Sequence, residues 1–195
     1  MESAEPRRAS LAWPLLVGLI LATVLALLIR LPELDTRLIH ADESVHCMRY
    51  QEVLHGAYRY DPNEYHGPTL YYATVPLMLL RGRTDFGQIG IADYRLVTIG
   101  FGVLLIWLMP LAMPKTSRAG QVVAGLLVAL SPVLGYYSRY YIQEMLLAAF
   151  TVAFLGALYR TVERRDGRWL IGSGVLAGLM VSTKETATLS FIAAA

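Results

Sequence analysis

Charged residues are scarce in this sequence: 16% of its 195 residues are Asp, Glu, Lys or Arg, against roughly 25% in a soluble domain. Cysteine is almost absent, and the single Cys47 cannot form an internal disulfide, so cysteine usage leaves the redox compartment open. There is no basic stretch interleaved with aromatic residues, which argues against a nucleic-acid-binding protein. Hydrophobic residues instead make up 55% of the chain, a balance typical of membrane proteins.

The first long hydrophobic run covers residues 11–29, nineteen residues without a charge. As a helix it would be about 28 Å long, close to the roughly 30 Å thickness of the hydrocarbon core. A cleavable signal peptide is the alternative. The run is too long for one, and the stretch LLIRLPELDT offers no small-residue cleavage site. We therefore predict a retained membrane helix with Arg7 and Arg8 as its cytoplasmic anchor.

Four more uncharged runs follow, at residues 96–114, 119–138, 145–159 and 169–183. The first two are long enough to cross the membrane, but the last two would reach only about 22 Å as helices. Each short run is completed by charged residues, Glu144 in one case and Lys184 with Glu185 in the other. These side chains should lie at or just inside the membrane boundary, where ionisable groups usually face a protein interior or a water-filled cavity.

Residues 68–80 form a run of thirteen uncharged residues that is too short to cross. If this run does not span, the predicted cytoplasmic segments carry eight Lys and Arg residues against four acids, whereas a spanning run would put six of the eight outside. The positive-inside rule favours the first arrangement. Pro68 suits a first helical turn and Gly82 a helix end, so we predict a helix lying in the outer membrane interface.

The sequence therefore predicts an all-α polytopic membrane protein with a long first loop outside the cytoplasm. We expect further helices beyond residue 195, because the last run begins a membrane helix that the chain does not complete. The predicted segments are a cytoplasmic tail (1–10), membrane helix 1 (11–31), an outer loop (32–91) with interfacial helices near 42–55 and 68–81, membrane helices 2 (92–113), 3 (119–138), 4 (140–160) and 5 (169–184), and the start of helix 6 (186–195).

A dense polar cluster, HADESVHCMRY at residues 40–50, follows the first membrane helix. We predict a short helix here with Asp42 as its N-cap. At 100° per residue, Asp42, His46 and Arg49 share one face of such a helix, while Glu43 points about 100° away. The two acids should therefore do different jobs. The alternative is that Asp42 only caps the helix at the water interface.

Two more polar segments are predicted at the outer boundary. YYSRYYIQE, at residues 136–144, places four tyrosines around Arg139. An aromatic belt is one interpretation, but tyrosines also stack on sugars. In STKET, at residues 182–186, Lys184 and Glu185 could equally form an internal ion pair.

Two weaker patterns carry no assignment. GSGVLAG, at residues 172–178, looks like a nucleotide loop, but it lies within a predicted membrane helix, so helix packing through small residues is favoured. Several outer side chains could bind a divalent metal, which remains an open question because no spacing among them is specific for a structural zinc site. These side chains are His40, Asp42, Glu43, His46 and His66.

The outer motifs resemble a known family. HADESVH is similar to the Asp-Glu motif that follows the first membrane helix in the GT-C class of glycosyltransferases. More closely, ADESVH…YRYDPNEYHGPTLYY, YYSRYYIQEM and STKET resemble the flippase-activity-associated membrane proteins of prokaryotic glycosylation clusters, relatives of the protein O-mannosyltransferases and aminoarabinose transferases. The resemblance runs from residue 11 onwards. Relatives often have Asn-Asp in place of Gln143 and Glu144, and they continue through further helices, so this part alone is expected to be inactive.

The resemblance implies a GT-C-like bundle that transfers a sugar from a polyprenyl-phosphate donor to a protein or glycan-lipid acceptor. Transfer would take place on the extracytoplasmic face of the plasma membrane. Asp42 would accept the acceptor's proton, with Glu43 beside it as a second catalytic residue. Arg139 and Lys184 would meet the departing lipid phosphate. Supporting or substrate-binding roles fall to His46, Arg49, His66, Tyr140, Glu144 and Glu185.

Two other functions stay open at this stage. A transporter would also place charged groups at membrane depth, but it predicts broken helices and sites near the midplane, whereas these charges sit at one edge. A non-catalytic membrane component of a glycan assembly or flippase machinery is the other alternative, and the name of the resembling family keeps it open.

Overall fold

A computed structural model describes residues 5–61, 63 and 66–194, and nearly all of the regular structure in these residues is helical. The predicted all-α polytopic fold is thereby confirmed. The helices are α1 (Glu5–Arg30), α2 (Ala41–Leu54), α3 (Thr69–Leu80), α4 (Ile91–Ala112), α5 (Arg118–Leu130), α6 (Pro132–Ser138), α7 (Glu144–Arg164), α8 (Gly167–Val181) and α9 (Ala187–Ala194), with a 3₁₀ turn at Phe86–Gln88.

Three helical segments are long and apolar enough to cross a membrane by themselves. They are Trp13–Arg30, Ile91–Ala112 and Glu144–Arg164. In the bundle, α4 packs against α1, α5, α6 and α7, and α7 also packs against α8. An added Cβ at Gly156 of α7 would lie 2.8 Å from the carbonyl oxygen of Leu111 in α4, so the close approach of these two helices depends on a glycine.

The segment predicted as membrane helix 3 is broken in the structure. Where one helix over residues 119–138 was expected, α5 and α6 meet at an angle of 60°. Ser131 separates them with φ −58° and ψ 120°, the extended geometry favoured before a proline. Pro132 has no N–H with which to continue α5, so it begins a new helix, and Ser131 Oγ caps that helix by accepting from the N–H of Leu134. Helix α7 likewise begins later than the predicted residue 140.

The small-residue packing expected within residues 172–178 is not found at the glycines of α8. Among the described residues, apart from the adjoining backbone of α8 itself, no atom lies within 4 Å of a Cβ added at Gly172, Gly174 or Gly178. Ser173 is the residue of this stretch that is buried. In the described chain, α8 therefore turns its glycines away from its neighbours.

Helices α2 and α3 cover one end of the bundle and share a core with it. Cys47 and Tyr50 from α2 pack with Tyr71 from α3, Tyr94 from α4 and Tyr141 from the segment before α7. All five are at most 5% exposed. Because α2 and α3 bury apolar surface against α4, the segment between α1 and α4 forms a packed layer of the fold in the described residues.

The start of α2 corrects the expectation for Asp42. The N-cap is His40, whose Nδ1 accepts from the N–H of Asp42 at 3.2 Å. Glu43 reaches back and accepts from the N–H of His40 at 3.1 Å, which completes a reciprocal cap. The helix therefore begins before Asp42, because Glu43 rather than Asp42 provides the capping carboxylate. At the other ends, Gly56 after α2 and Gly82 after α3 have φ of 64° and 65°, the left-handed geometry that stops a helix.

We predict that α3 stays on the outer side without crossing. Its twelve residues reach about 18 Å. Tyr60→Cys and Asp85→Cys, on either side of α3, should both react with a membrane-impermeant maleimide added from outside. The variants are made in a Cys47→Ala background, and Arg164→Cys serves as the control expected to react only after permeabilisation. Labelling of either outer position from the cytoplasm alone contradicts this topology.

Candidate functional site

Glu43 is the centre of a buried polar network. It is 0% exposed and accepts from Arg95 twice, from Nε at 2.8 Å and from Nη2 at 2.7 Å. The N–H of Tyr141 donates to it at 3.0 Å, and Arg37 Nη2 donates at 3.3 Å. With the N–H of His40, five donors converge on one carboxylate and tie α2 to α4 and to the segment before α7.

The charge of Glu43 is stabilised by these donors. Burial by itself would raise the pKa of Glu43, but the bonds from Arg95, Tyr141 and His40 outweigh it and hold the pKa below its ordinary value. Arg95 is itself 1% exposed and also donates to the carbonyls of Leu34 and Arg37. A carboxylate held this firmly is suited to positioning the loop rather than to taking up a proton.

Asp42 has the opposite environment. Its side chain is 66% exposed, and one of its carboxylate oxygens lies 3.5 Å from His40 Nδ1. Arg49, expected on the same face, instead pairs with Glu52 at 2.9 Å. The two neighbouring acids thus differ as their helical positions predicted, and Asp42 is the one exposed to solvent.

His46 of α2 and His66 of the segment before α3 lie next to each other. Their ring centroids are 5.1 Å apart, and His46 Nδ1 lies 3.0 Å from the hydroxyl of Tyr71. His46 is 3% exposed. Burial lowers the pKa of His46 to about 4, helped by the charge of His66, while Glu144 and Asp42 act in the opposite direction. His46 is therefore neutral at pH 7.

The stability of the protein should fall in mild acid because of His46. Its pKa is lowered from 6.5 to about 4 in the fold, so the unfolded chain binds the proton first and stability is lost as pH falls from about 6.5 towards 4. The full loss is about 3 kcal/mol. His46→Gln should flatten this part of a melting-temperature against pH curve, and His55→Gln, which changes an exposed histidine at the end of α2, should not. Equal slopes for the two variants contradict the assignment. The charged groups acting on His46 are His66, Glu144, Asp42 and Lys184.

Glu144 and Lys184 meet in a groove between α7 and the start of α9. Lys184 Nζ donates to Glu144 Oε1 at 2.6 Å. The groove has a volume of about 390 Å³, and the hydroxyls of Thr186 and Ser190 and the apolar side chain of Leu147 also line it. The partner of Lys184 is thus Glu144, whereas Glu185 is exposed.

The segment between α2 and α3 reaches this groove through a backbone contact. His66 forms an isolated antiparallel bridge with Lys184, and the N–H of Gly67 donates to the carbonyl of Thr183 at 3.0 Å. Gln143 Nε2 donates to the carbonyl of Gly67 at 2.9 Å. An added Cβ on Gly67 would lie 1.9 Å from the carbonyl oxygen of Ser182, so this approach requires glycine. The contact brings His66, and with it His46, beside Lys184.

Arg139 does not line the groove that contains Lys184. Its Nη2 donates to the carbonyls of Pro32 at 2.7 Å and Glu33 at 3.2 Å, and it lines a different cavity, at the C-terminal end of α1. The two cations predicted to hold the donor phosphate, Arg139 and Lys184, thus line separate cavities. Tyr140, the neighbour of Arg139, is 7% exposed, and its ring lies 5.3 Å from that of His40.

Two further observations complete the site. Within the described ranges, no three His, Cys, Asp or Glu side chains come close enough to hold a metal ion.

Sequence reasoning also missed four residues that position the loop: Arg37, Gly67, Arg95 and Gln143. Arg95 did leave a signal, since it is the charged residue immediately before the uncharged run 96–114.

Comparison with known proteins identifies a family and a fold. Residues 66–195 match the family model described as dolichyl-phosphate-mannose-protein mannosyltransferase. Among solved structures, the chain is similar to the archaeal oligosaccharyltransferase AglB from Archaeoglobus fulgidus, solved in complex with an inhibitory peptide and a dolichol-phosphate. The TM-score is 0.72 at 17% sequence identity, and the match covers 92% of this chain but 24% of AglB. No curated protein matches the chain.

Proposed function

Because the chain belongs to the dolichyl-phosphate-mannose-protein mannosyltransferase family, we propose that it contributes the first outer loop and part of the donor site of an enzyme that transfers a sugar from a polyprenyl-phosphate carrier. The GT-C class predicted from the motifs is confirmed by the family and the fold. The finer resemblance to flippase-activity-associated proteins stays a prediction. The acceptor, a protein or a glycan lipid, would be modified on the extracytoplasmic face of the plasma membrane.

The observation that carries the proposal is the groove at Lys184. A lipid-phosphate donor needs a cation for its phosphate and apolar surface for its tail, and both occur in this groove. Glu144 holds the ammonium of Lys184 in place, and two of the three N–H donors of Lys184 make no bond to a described residue and remain for phosphate oxygens. The departing phosphate gains charge in the transition state, so Lys184 would stabilise that state more than the bound donor.

The loop supplies the remaining groups. His66 is placed beside Lys184 by the backbone bridge, and the neutral His46 lies behind it. Asp42, exposed at the start of α2, is proposed to accept the proton of the acceptor hydroxyl. Glu43 would act by holding α2 in position, which changes its proposed role from chemistry to support. Arg49, Tyr140 and Glu185 keep supporting roles as proposals.

The transporter alternative gains one observation, the break between α5 and α6. A transporter places such a break at its midplane site. Here Arg30, the last residue of the first candidate span, donates to Val128 and Ser138 on either side of the break. The break therefore lies at the outer end of α1, where no transport site is expected.

The proposal predicts lipid-phosphate release that depends on Lys184. The full-length protein is incubated with a panel of polyprenyl-phosphate sugars and an acceptor extract, and released lipid phosphate is measured. Lys184→Met should lower kcat/KM about tenfold or more, the effect of losing one charged hydrogen bond to phosphate. The matched control is Lys115→Met, because Lys115 packs over Tyr159 rather than lining this groove.

Three outcomes decide between the functions. Release whose kcat/KM falls about tenfold or more in Lys184→Met and is unchanged in Lys115→Met supports the proposal. Sugar movement across the membrane without lipid-phosphate release favours a transporter. A full-length protein that binds donors and neither transfers nor transports sugar is the non-catalytic component.

A further inference from the structure

A second cavity at the outer end of α1 has no part in the proposed transfer. Its volume is about 330 Å³. It lies beside the break between α5 and α6, and its walls combine three guanidinium groups with apolar and aromatic side chains. The residues that matter are Arg37, Arg95, Arg139, Ile29, Leu130 and Tyr136.

The arginines around this cavity outnumber the carboxylates that pair with them in the described residues. Arg30 does not line the cavity, but it is 0% exposed and donates to Val128 and Ser138 on either side of the adjacent break. Together with the three lining arginines it makes four guanidinium groups, and the one carboxylate paired with any of them in the described residues is Glu43. Buried or half-buried cations without counter-charge are costly, so an anion in this cavity would stabilise the fold.

The arginines still have donors to offer. Arg30 Nη1 is buried and has no hydrogen-bond partner in the described part of the chain. Arg139 uses Nη2 for the carbonyls of Pro32 and Glu33, and Arg37 uses Nη2 for Glu43 and the carbonyl of Arg139. Their Nε and Nη1 groups make no bond to a described residue. Guanidinium groups with parallel N–H donors are suited to phosphate oxygens.

The surroundings indicate a lipid rather than a free ion. The first candidate membrane span ends at Arg30, which puts the cavity at the depth of the lipid headgroups. An apolar depression of about 230 Å³ lies on the same end of α1, lined by Val24, Leu27, Leu28, Leu31 and Pro32. The carbonyl of Pro32 is also bonded by Arg139, so the depression and the cationic cavity adjoin at this residue.

We propose that this cavity binds the phosphate headgroup of an anionic membrane lipid, whose acyl chain lies in the adjoining depression of α1. The site is separate from the groove at Lys184, and it does not depend on the transfer reaction proposed above. It assigns Arg139 to this second lipid instead of to the sugar donor. The bound phosphate would neutralise the arginine cluster and brace the break between α5 and α6.

Lipid binding by the purified full-length protein tests this. Native mass spectrometry counts the lipids retained from mixed micelles containing dioleoylphosphatidylglycerol or, as the zwitterionic comparison, dioleoylphosphatidylcholine. We expect one phosphatidylglycerol per chain to be retained in preference to phosphatidylcholine. Arg139→Gln should weaken its binding at least tenfold. Arg59→Gln, which removes the same charge from an exposed position of the outer loop, should leave binding unchanged.

A second measurement on the unaltered protein covers the case in which Arg139→Gln fails to fold. Phosphatidylglycerol should raise the melting temperature by several degrees more than phosphatidylcholine does. Inorganic phosphate should reproduce little of this shift, since it lacks the acyl chain. Equal shifts with the two lipids, or binding that survives in Arg139→Gln, would overturn the proposal. A full shift with inorganic phosphate alone would show an anion site and overturn the lipid assignment.

Discussion

Asp42→Asn in the full-length protein is expected to lower the rate of sugar transfer by about a hundredfold or more, the usual contribution of a general base. Asp42 is the exposed acid of the pair. Its charge acts on His46, which is also affected by His66 and Lys184. Asn keeps the shape of the side chain and loses only its basicity. Because His40 and Glu43 form the cap of α2, the substitution leaves the capping bonds intact.

The matched control is Asp85→Asn. Asp85 is an exposed acid of the same segment between α1 and α4, and it caps the 3₁₀ turn by accepting from the N–H of Gly87. Asn caps about as well as Asp, so transfer should be unchanged. Expression and donor binding are measured for both variants. If Asp42→Asn transfers sugar at a near-normal rate, Asp42 is not the base, and Glu144 in the groove becomes the next candidate.

Arg95→Met should destabilise the protein by about 3–5 kcal/mol, the cost of leaving a buried carboxylate without its partner. Arg95 and Glu43 are both at most 1% exposed, and two hydrogen bonds join them. Loss of Arg95 also frees the carbonyls of Leu34 and Arg37, so the loop before α2 should become sensitive to protease. The melting temperature and the rate of proteolysis measure the two effects.

Two further variants show whether the pair itself is responsible. Arg81→Met removes an arginine that is 43% exposed and pairs with Asp93, and it should cost about 1 kcal/mol or less. Combining Glu43→Gln with Arg95→Met should recover part of the lost stability, since the unpaired charge is then gone. Arg95→Met that is no less stable than Arg81→Met would mean that the ion pair does not fix the loop.

Much of the fold follows from local properties of the sequence. Long uncharged runs must form helices in a membrane because no water is present to satisfy the backbone. This requirement predicted the helices now seen as α1, α4 and α7, and the short run at residues 68–80 likewise predicted α3. How these helices lie relative to the membrane stays a prediction. The opposite characters of Asp42 and Glu43 were foreseeable too, since neighbouring positions of a helix point about 100° apart.

Periodicity could not say which of the two acids is buried, because that depends on what packs against α2. Arg95 is 52 residues away from Glu43 along the chain and meets it only when α4 is in place. The same holds for His66 beside Lys184, and for the separation of Arg139 from Lys184 into two cavities. The sequence by itself determined most of the helices and the class of protein, and its assignment of site residues stays a prediction. Tertiary packing decided which charges meet, because burial and ion pairing are set by contacts between segments far apart in the chain.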